Sequence, residues 1–228
     1  MNNAAPPDLG HVDTWLFDLD NTLYPHHCNL FLEMDQRMGA FIGQLLNVDP
    51  VEAKRVQKEF YHRHGTTLRG LMLEHGVAPE EYLHYVHDLD VSVVPPAPEL
   101  DAALGKLPGR KIVFTNGSVP HATRVLNRLG VAAHFEAIFD IAAAAYIPKP
   151  DPKPYDVIVA QYGIAPERAA MVEDVARNLV PAHALGMTTI WVPGGPERAA
   201  PAEPNTPYIH HQTGGDLAAW LHRLTSAG

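Results

Sequence analysis

The chain is poor in cysteine, with Cys28 alone among 228 residues. That excludes a disulfide framework and a cysteine-based zinc site, and it fits a reducing, cytoplasmic setting. Long apolar runs are missing too. No stretch approaches the roughly 18 residues that would span a bilayer, so no membrane contact is expected. Met1 to His11 has neither the basic n-region nor the apolar core of a secretory leader. Positive charge is scarce, since 17 Lys and Arg stand against 26 Asp and Glu for a formal net charge of −9. With no basic run or stripe, the chain has no footprint for a nucleic-acid polymer. The same balance repels small anions at long range, so any phosphate chemistry needs local positive charge from a metal ion or a well-placed lysine. The 14 histidines are scattered and show no H-E-x-x-H or other ligand spacing.

What is present begins with Trp15-Leu16-Phe17-Asp18-Leu19-Asp20-Asn21-Thr22-Leu23-Tyr24. Val12 and then Trp15 to Phe17 have the length and aromatic content of a short buried strand. It ends in two carboxylates at i and i+2, positions that point to the same side of an extended chain. Two carboxylates so placed cannot both ionise comfortably without a cation between them or a proton on one. The pair therefore reads as a Mg²⁺ site, as an acid/base pair, or as a nucleophile beside a proton-transfer group.

Downstream the character changes. Phe31, Met34, Met38, Phe41, Ile42, Leu45 and Leu46 recur at helical spacing, and Asp49-Pro50, Gly65, Gly76 and Pro79 punctuate three further helical pieces reaching about His87. Residues 25–95 therefore read as an all-helical insert, and 1–24 with 96–228 as the main body. From residue 98 helices alternate with apolar strands over Lys111–Asn116, Ala137–Ile141, Ala170–Asp174 and Thr188–Val192, with helices near 153–162 and 176–185. A long loop over Pro193–Pro207, a short strand at Tyr208–His210 and a helix near 215–225 complete the pattern. Such alternation predicts an α/β fold, a Rossmann-like parallel sheet with helices on both faces.

In open parallel sheets ligands sit outside the carboxyl ends of the strands. Asp18 and Asp20 close the first strand, Thr115 and Asn116 the second, Glu173 and Asp174 the fourth, and Lys149 lies after the third. Asp18, Asp20 and Asp174, with Glu173 as ligand or outer partner, form a hard oxygen site suited to Mg²⁺. Asp18 is a candidate nucleophile for in-line attack on phosphorus, and Asp20 is placed to protonate the leaving alkoxide. The Thr115 hydroxyl, the Asn116-Gly117 turn and Lys149 make a phosphate cradle. Thr115 has a plainer alternative, bonding its own turn; Lys149 has another, facing solvent, and Lys153 competes with it.

Phe17-Asp18-Leu19-Asp20-Asn21-Thr22-Leu23-Tyr24, Phe114-Thr115-Asn116-Gly117, Lys149-Pro150 and Val172-Glu173-Asp174 together resemble the four ordered motifs of the haloacid dehalogenase superfamily. The resemblance covers nearly the whole chain. It implies a Rossmann-like core, an aspartyl-phosphate intermediate on Asp18 and a Mg²⁺ cofactor. It also gives Asp20 a role, because dehalogenases lack a carboxylate two residues after the nucleophile and phosphatases use one as general acid/base. The insert is similar to a C1-type cap, one that opens and closes over the site. Leu23-Tyr24-Pro25, Gly65 to Leu71, Tyr85-Val86-His87-Asp88 and Arg177-Asn178-Leu179 resemble the pyrimidine 5′-nucleotidase branch, which implies UMP or CMP as substrate. Two positions depart from the commonest pattern: Val175 stands where a small hydroxyl residue is usual, and Asn178 replaces an acid.

Substrate choice falls to the cap, where His64, Thr66, Thr67 and Arg69 are candidates, although Thr66 or Thr67 also suits a helix cap. The expectation is a phosphoric monoester hydrolase acting on a small-molecule phosphate monoester. Its rivals are a phosphatase of a sugar phosphate or phosphoglycolate, and a non-catalytic phospho-switch or binding module.

Overall fold

The computed structural model describes residues 7–194 and 206–226. Its centre is a six-stranded sheet of β1 (Thr14–Phe17), β2 (Arg110–Phe114), β3 (Ala137–Phe139), β4 (Ala169–Glu173), β5 (Thr188–Trp191) and β6 (His211–Gln212). The order is β3-β2-β1-β4-β5-β6, with every pairing parallel. Successive strands step outward from β1 on one side to β3, and the chain then returns to the other side of β1 with β4. The strand order therefore reverses at β1 and β4, and it is outside the carboxyl ends of these two that the crevice of such a sheet opens.

The alternation of side chains along β1 explains the two-sided burial. Trp15 and Phe17 pack with Val113, Val172 and Ile190 on one face; Leu16 packs with Ile112, Phe139 and Met171 on the other. The second face is covered by α7 (Pro152–Tyr162) and α8 (Leu179–Ala184) through Tyr155, Ile158, Leu179 and Ala182. The first face carries α5 (Pro98–Lys106), α6 (Val119–Leu129) and α9 (Leu217–Ser226) through Leu104, Val125, Leu126 and Leu221. With both faces buried, the strands have no need of polar alternation.

Between β1 and α5 run α1 (Leu30–Leu46), α2 (Pro50–His64), α3 (Thr67–His75) and α4 (Pro79–Val86). Asp49 accepts from the amides of Val51 and Glu52 and so starts α2, with Pro50 at the first helical position. At Gly70 on α3 a Cβ would come within 2.4 Å of the Phe60 ring on α2. Only the absent side chain lets the two helices approach there.

Two expectations need correction. The last short strand is at His211–Gln212, not Tyr208–His210, because the Ile209 amide turns back on the Thr206 carbonyl and pairing with β5 begins only when His210 N–H donates to the Thr189 carbonyl at 3.1 Å. The helix expected over 176–185 is split into a 3-10 turn at Ala176–Asn178 and the short α8, which carries Pro181 in its first turn. The loop expected over Pro193–Pro207 lies mostly outside the described residues.

Candidate active site

The acidic turn after β1 is built by local hydrogen bonds. The Asp18 amide donates to the Val172 carbonyl at 2.9 Å, so the ladder with β4 runs one residue past the strand. The chain then turns, with Leu23 N–H donating to the Leu19 carbonyl and Asn21 in the left-handed region at φ +62°. Each acid is thereby met by the hydroxyl four residues later. Thr22 Oγ1 donates to Asp18 Oδ2 at 3.0 Å, and Tyr24 OH donates to Asp20 Oδ1 at 2.7 Å.

Lys149 is fully drawn into the site. Its backbone is clamped by Asn116, whose Oδ1 accepts from the Lys149 amide at 2.9 Å and whose Nδ2 donates to the Lys149 carbonyl. Its Nζ donates to Asp18 Oδ1 at 2.8 Å, Glu173 Oε2 at 2.7 Å and the Phe114 carbonyl at 2.8 Å. An ammonium has three protons to give, and all three are matched. Lys149 therefore does not face solvent. Burial alone would lower its pKa, but the charges of Asp18 and then Glu173 outweigh that and hold it above the usual lysine range. For Asp18, burial and then the Glu173 charge win over the pull of Lys149 and push its carboxyl up to about 7.

Asp18, Glu173 and Asp174, all buried, bring carboxylate oxygens within 4.8 Å of one another. One lysine offsets only part of three carboxylate charges, so the cluster suits a cation with hard oxygen preference, and Mg²⁺ fits that donor set. Glu173 is already engaged at both oxygens, by Lys149 and by the Val175 amide at 3.1 Å. That makes it an outer partner and leaves Asp18 and Asp174 as the side chains best placed to hold an ion. Asp20, expected as a fourth ligand, is not part of the cluster. Its carboxylate turns instead to Tyr24 and to His121, whose Nε2 is 2.8 Å from Oδ1. Burial would raise Asp20, yet His121 and then Tyr24 overcome it and hold the carboxyl at about 2.

The expected phosphate cradle is partly closed on itself. The Gly117 amide donates to Thr115 Oγ1 at 2.9 Å, so the plainer role of Thr115 is realised. The Thr115 hydroxyl keeps its own proton for a ligand. The Asn116 side chain holds Lys149 rather than a phosphate. The turn does lie beside the acid, since a Cβ on Gly117 would be 3.7 Å from Asp20 Oδ2.

The helical insert reaches the main body at several points. Arg69 Nη1 is 4.0 Å from Asp151 Oδ2, at the start of α7. Gly65 abuts Pro148, the Tyr61 ring lies under the Arg177 guanidinium at 4.5 Å, and Tyr146 OH donates to Glu80 at 2.6 Å. Of the four insert residues singled out in the sequence, Arg69 alone is brought to a side chain of the main body. Thr66 caps α3, Thr67 is buried against the Gln57 carbonyl, and His64 bonds Glu74 at 2.6 Å.

Residues 12–186 match the family of haloacid dehalogenase-like hydrolases. The chain belongs to that family. Among its relatives is Phosphate metabolism protein 8 of Saccharomyces cerevisiae, 29% identical over 204 residues that take in 80% of this chain and 63% of that protein. Phosphoserine phosphatase of Thermus thermophilus is 32% identical over 102 residues, 43% of this chain and 41% of that enzyme. The matches thus span less than two thirds of either relative's length. The fold is shared with the HAD phosphatase from Thermococcus onnurineus, at TM-score 0.59 and 19% identity over 88% of this chain and 93% of that one. It is shared equally with the 2-haloacid dehalogenase from Pseudomonas syringae, at TM-score 0.59 and 22% identity over 95% and 100% of the two chains.

Within this haloacid dehalogenase-like fold the sequence reading missed Thr22, Tyr24, His87 and His121. His121 was legible in one respect, as a polar side chain on the apolar face of α6 formed by Ala122, Val125, Leu126 and Leu129. His87 follows α4 and places its ring 4.5 Å from that of His121, 11° from parallel, with Nδ1 2.9 Å from Ser118 Oγ. Burial, and then His121, push His87 down to about 3. Nothing in its sequence neighbourhood points across to α6.

Proposed function

We propose that this hydrolase is a Mg²⁺-dependent phosphatase that works through an aspartyl-phosphate on Asp18. Its substrate is a small phosphate monoester, and the wording of the insert favours a pyrimidine nucleoside 5′-monophosphate such as UMP or CMP. The observation that carries the reading is Asp20, a second carboxylate two residues past the candidate nucleophile and held apart from it by its own partners. Displacing a halide needs no proton donor, whereas displacing an alkoxide does. The name of the Thermus relative, a phosphoserine phosphatase, agrees with a phosphate ester as substrate class.

In this scheme an Asp18 oxygen attacks phosphorus in line, and Lys149 and the Thr115 hydroxyl carry part of the charge on the phosphoryl oxygens. Mg²⁺ held by Asp18 and Asp174 supplies further charge neutralisation and favours ionised Asp18. Asp20 gives its proton to the leaving oxygen and later takes one from the attacking water. The helical insert serves as a cap of C1 type, gripping the main body near Lys149 and Asp174 through Arg69 and Tyr61.

The test is phosphate release from UMP, CMP, AMP, GMP, dTMP, sugar phosphates and phosphoglycolate, with Mg²⁺ and with EDTA, beside Asp18→Asn. Metal-dependent turnover led by UMP and CMP and lost in the variant is the expected result. Turnover led by another ester keeps the core chemistry and removes the nucleotide assignment. No turnover of any ester by the folded protein refutes the phosphatase.

A further inference from the structure

We propose that His121 is a positioning residue that selects which oxygen of Asp20 handles the proton; the inference rests on the phosphatase reading above. Both donors that reach Asp20 meet the same atom. Tyr24 OH lies 2.7 Å from Oδ1 and His121 Nε2 lies 2.8 Å from Oδ1. The other oxygen, Oδ2, is the one beside the Gly117 turn. An oxygen that accepts two hydrogen bonds has no lone pair well placed for a proton of its own. The proton of the acid form therefore resides on Oδ2, on the side where a leaving group seated over Thr115 and Asp18 would need it.

His121 is suited to this by its own surroundings. The residue is wholly buried, and its Nδ1 has no partner among the described residues. A buried N–H without an acceptor is costly, so the arrangement favours the tautomer with the proton on Nε2, donating to Asp20. The ring is fixed from two directions. It lies on the apolar face of α6, and the parallel ring of His87 covers it. His87 is held in turn by Ser118 Oγ and by Arg124, which donates to the His87 carbonyl. Because His87 sits at the end of α4, the last helix of the insert contributes to the aim of a carboxylate on the main body.

The step balances as follows. An Asp18 oxygen forms a bond to phosphorus, and the bond from phosphorus to the ester oxygen breaks with its electron pair on that oxygen. The oxygen takes the proton from Asp20 Oδ2 and leaves as the alcohol. In the second step Asp20 Oδ2 removes a proton from water as the water oxygen bonds to phosphorus, and the electron pair of the aspartyl oxygen–phosphorus bond returns to Asp18.

Acid assistance matters for an alkoxide and hardly at all for a leaving group that departs as a stable anion. The experiment compares His121→Ala and His121→Gln with the unsubstituted enzyme in Mg²⁺. The esters are 4-nitrophenyl phosphate and whichever of UMP or phosphoglycolate the unsubstituted protein turns over. The alanine variant should lose about 100-fold in kcat on the alkyl ester, yet still release one rapid equivalent of nitrophenolate before slow turnover. Glutamine, which keeps an amide N–H near the Nε2 position, should recover most of the alkyl-ester rate. If alanine does not fold, His121→Phe keeps the stacked ring without the donor and must show the same split. Equal loss on both esters, or an undiminished alkyl-ester rate, overturns the inference. An unsubstituted protein inert towards both esters overturns the phosphatase reading and this inference with it.

Discussion

Replacing Lys149 by methionine keeps the length of the side chain and removes its charge. In the intact site Nζ lies 2.8 Å from Asp18 and 2.7 Å from Glu173, and the Lys149 and Glu173 side chains are each only 1% exposed. The variant would bury two carboxylates with no counter-charge. Truncating one partner of a buried ion pair costs about 3–5 kcal/mol, a large part of the ~5–15 kcal/mol that stabilises a domain. The protein has one escape, which is to protonate Asp18, whose carboxyl is already raised to about 7 with the lysine present. A group raised above its unfolded value binds more protons in the folded state, so stability falls as pH rises towards and past the folded value. Urea unfolding in EDTA should therefore show the full loss at pH 8 and a smaller one at pH 6. The double variant Lys149→Met/Glu173→Gln should regain much of it, because one unpaired charge is gone. A loss below about 1 kcal/mol at both pH values, or a double variant as unstable as the summed single changes, would refute the account of Lys149 as the charge centre of the site.

The neutral, buried His87 makes a second expectation about pH. Its folded value, about 3, lies below the ordinary 6.5, so its contribution is present above pH 6.5 and is lost as pH falls towards 3. Urea midpoints between pH 7 and 5 should decline by up to about 1.4 kcal/mol per pH unit from this group, and His87→Gln should flatten the decline. An unchanged slope would mean that His87 takes up its proton freely in the fold, despite His121 and Arg124 nearby. At Gly70 the steric argument is simpler. A methyl group 2.4 Å from the Phe60 ring forces α2 and α3 apart, so Gly70→Ala should destabilise by about 1–3 kcal/mol, read by thermal melting. An unaffected midpoint would show that Phe60 can move aside at no cost.

The sheet was legible because its strands are short apolar runs that stop at polar motif residues, and those stops position the site. Trp15 to Phe17 and then Asp18 is the plainest case. The helical insert was legible from spacing and from Asp49-Pro50, Gly65 and Gly76. What sequence could not convey is how completely the polar side chains engage one another. Asn116 reads as a phosphate contact, but it is the residue that happens to face the Lys149 backbone, separated from it by 33 positions. Glu173 and Asp174 read as equivalent acids, yet adjacent residues on an extended chain point opposite ways, and Glu173 is the one that meets Lys149. His121 and His87 are parted by α5 and β2, so their stacking is a product of tertiary packing alone. The last strand was misplaced by one register because the turn at Thr206–Ile209 carries no glycine or proline between its ends to mark it.

The position of β1 at the centre of the sheet has a consequence for how the chain is made. It is the first strand in order, yet both its neighbours come much later: Thr14 pairs with Arg110 on one side and with Ala169 on the other. The strand and its acidic turn thus leave the ribosome long before anything exists to pair with them. The helices of the insert follow at once, and α1, α2 and α3 pack on their own sequence neighbours, which is the fast kind of contact to form. During synthesis the Thr14–Phe17 segment must wait as an unpaired apolar edge until the second half of the chain arrives, the state in which nascent chains are most exposed to misassociation. The nucleophile is encoded near the beginning and becomes a working group only near the end.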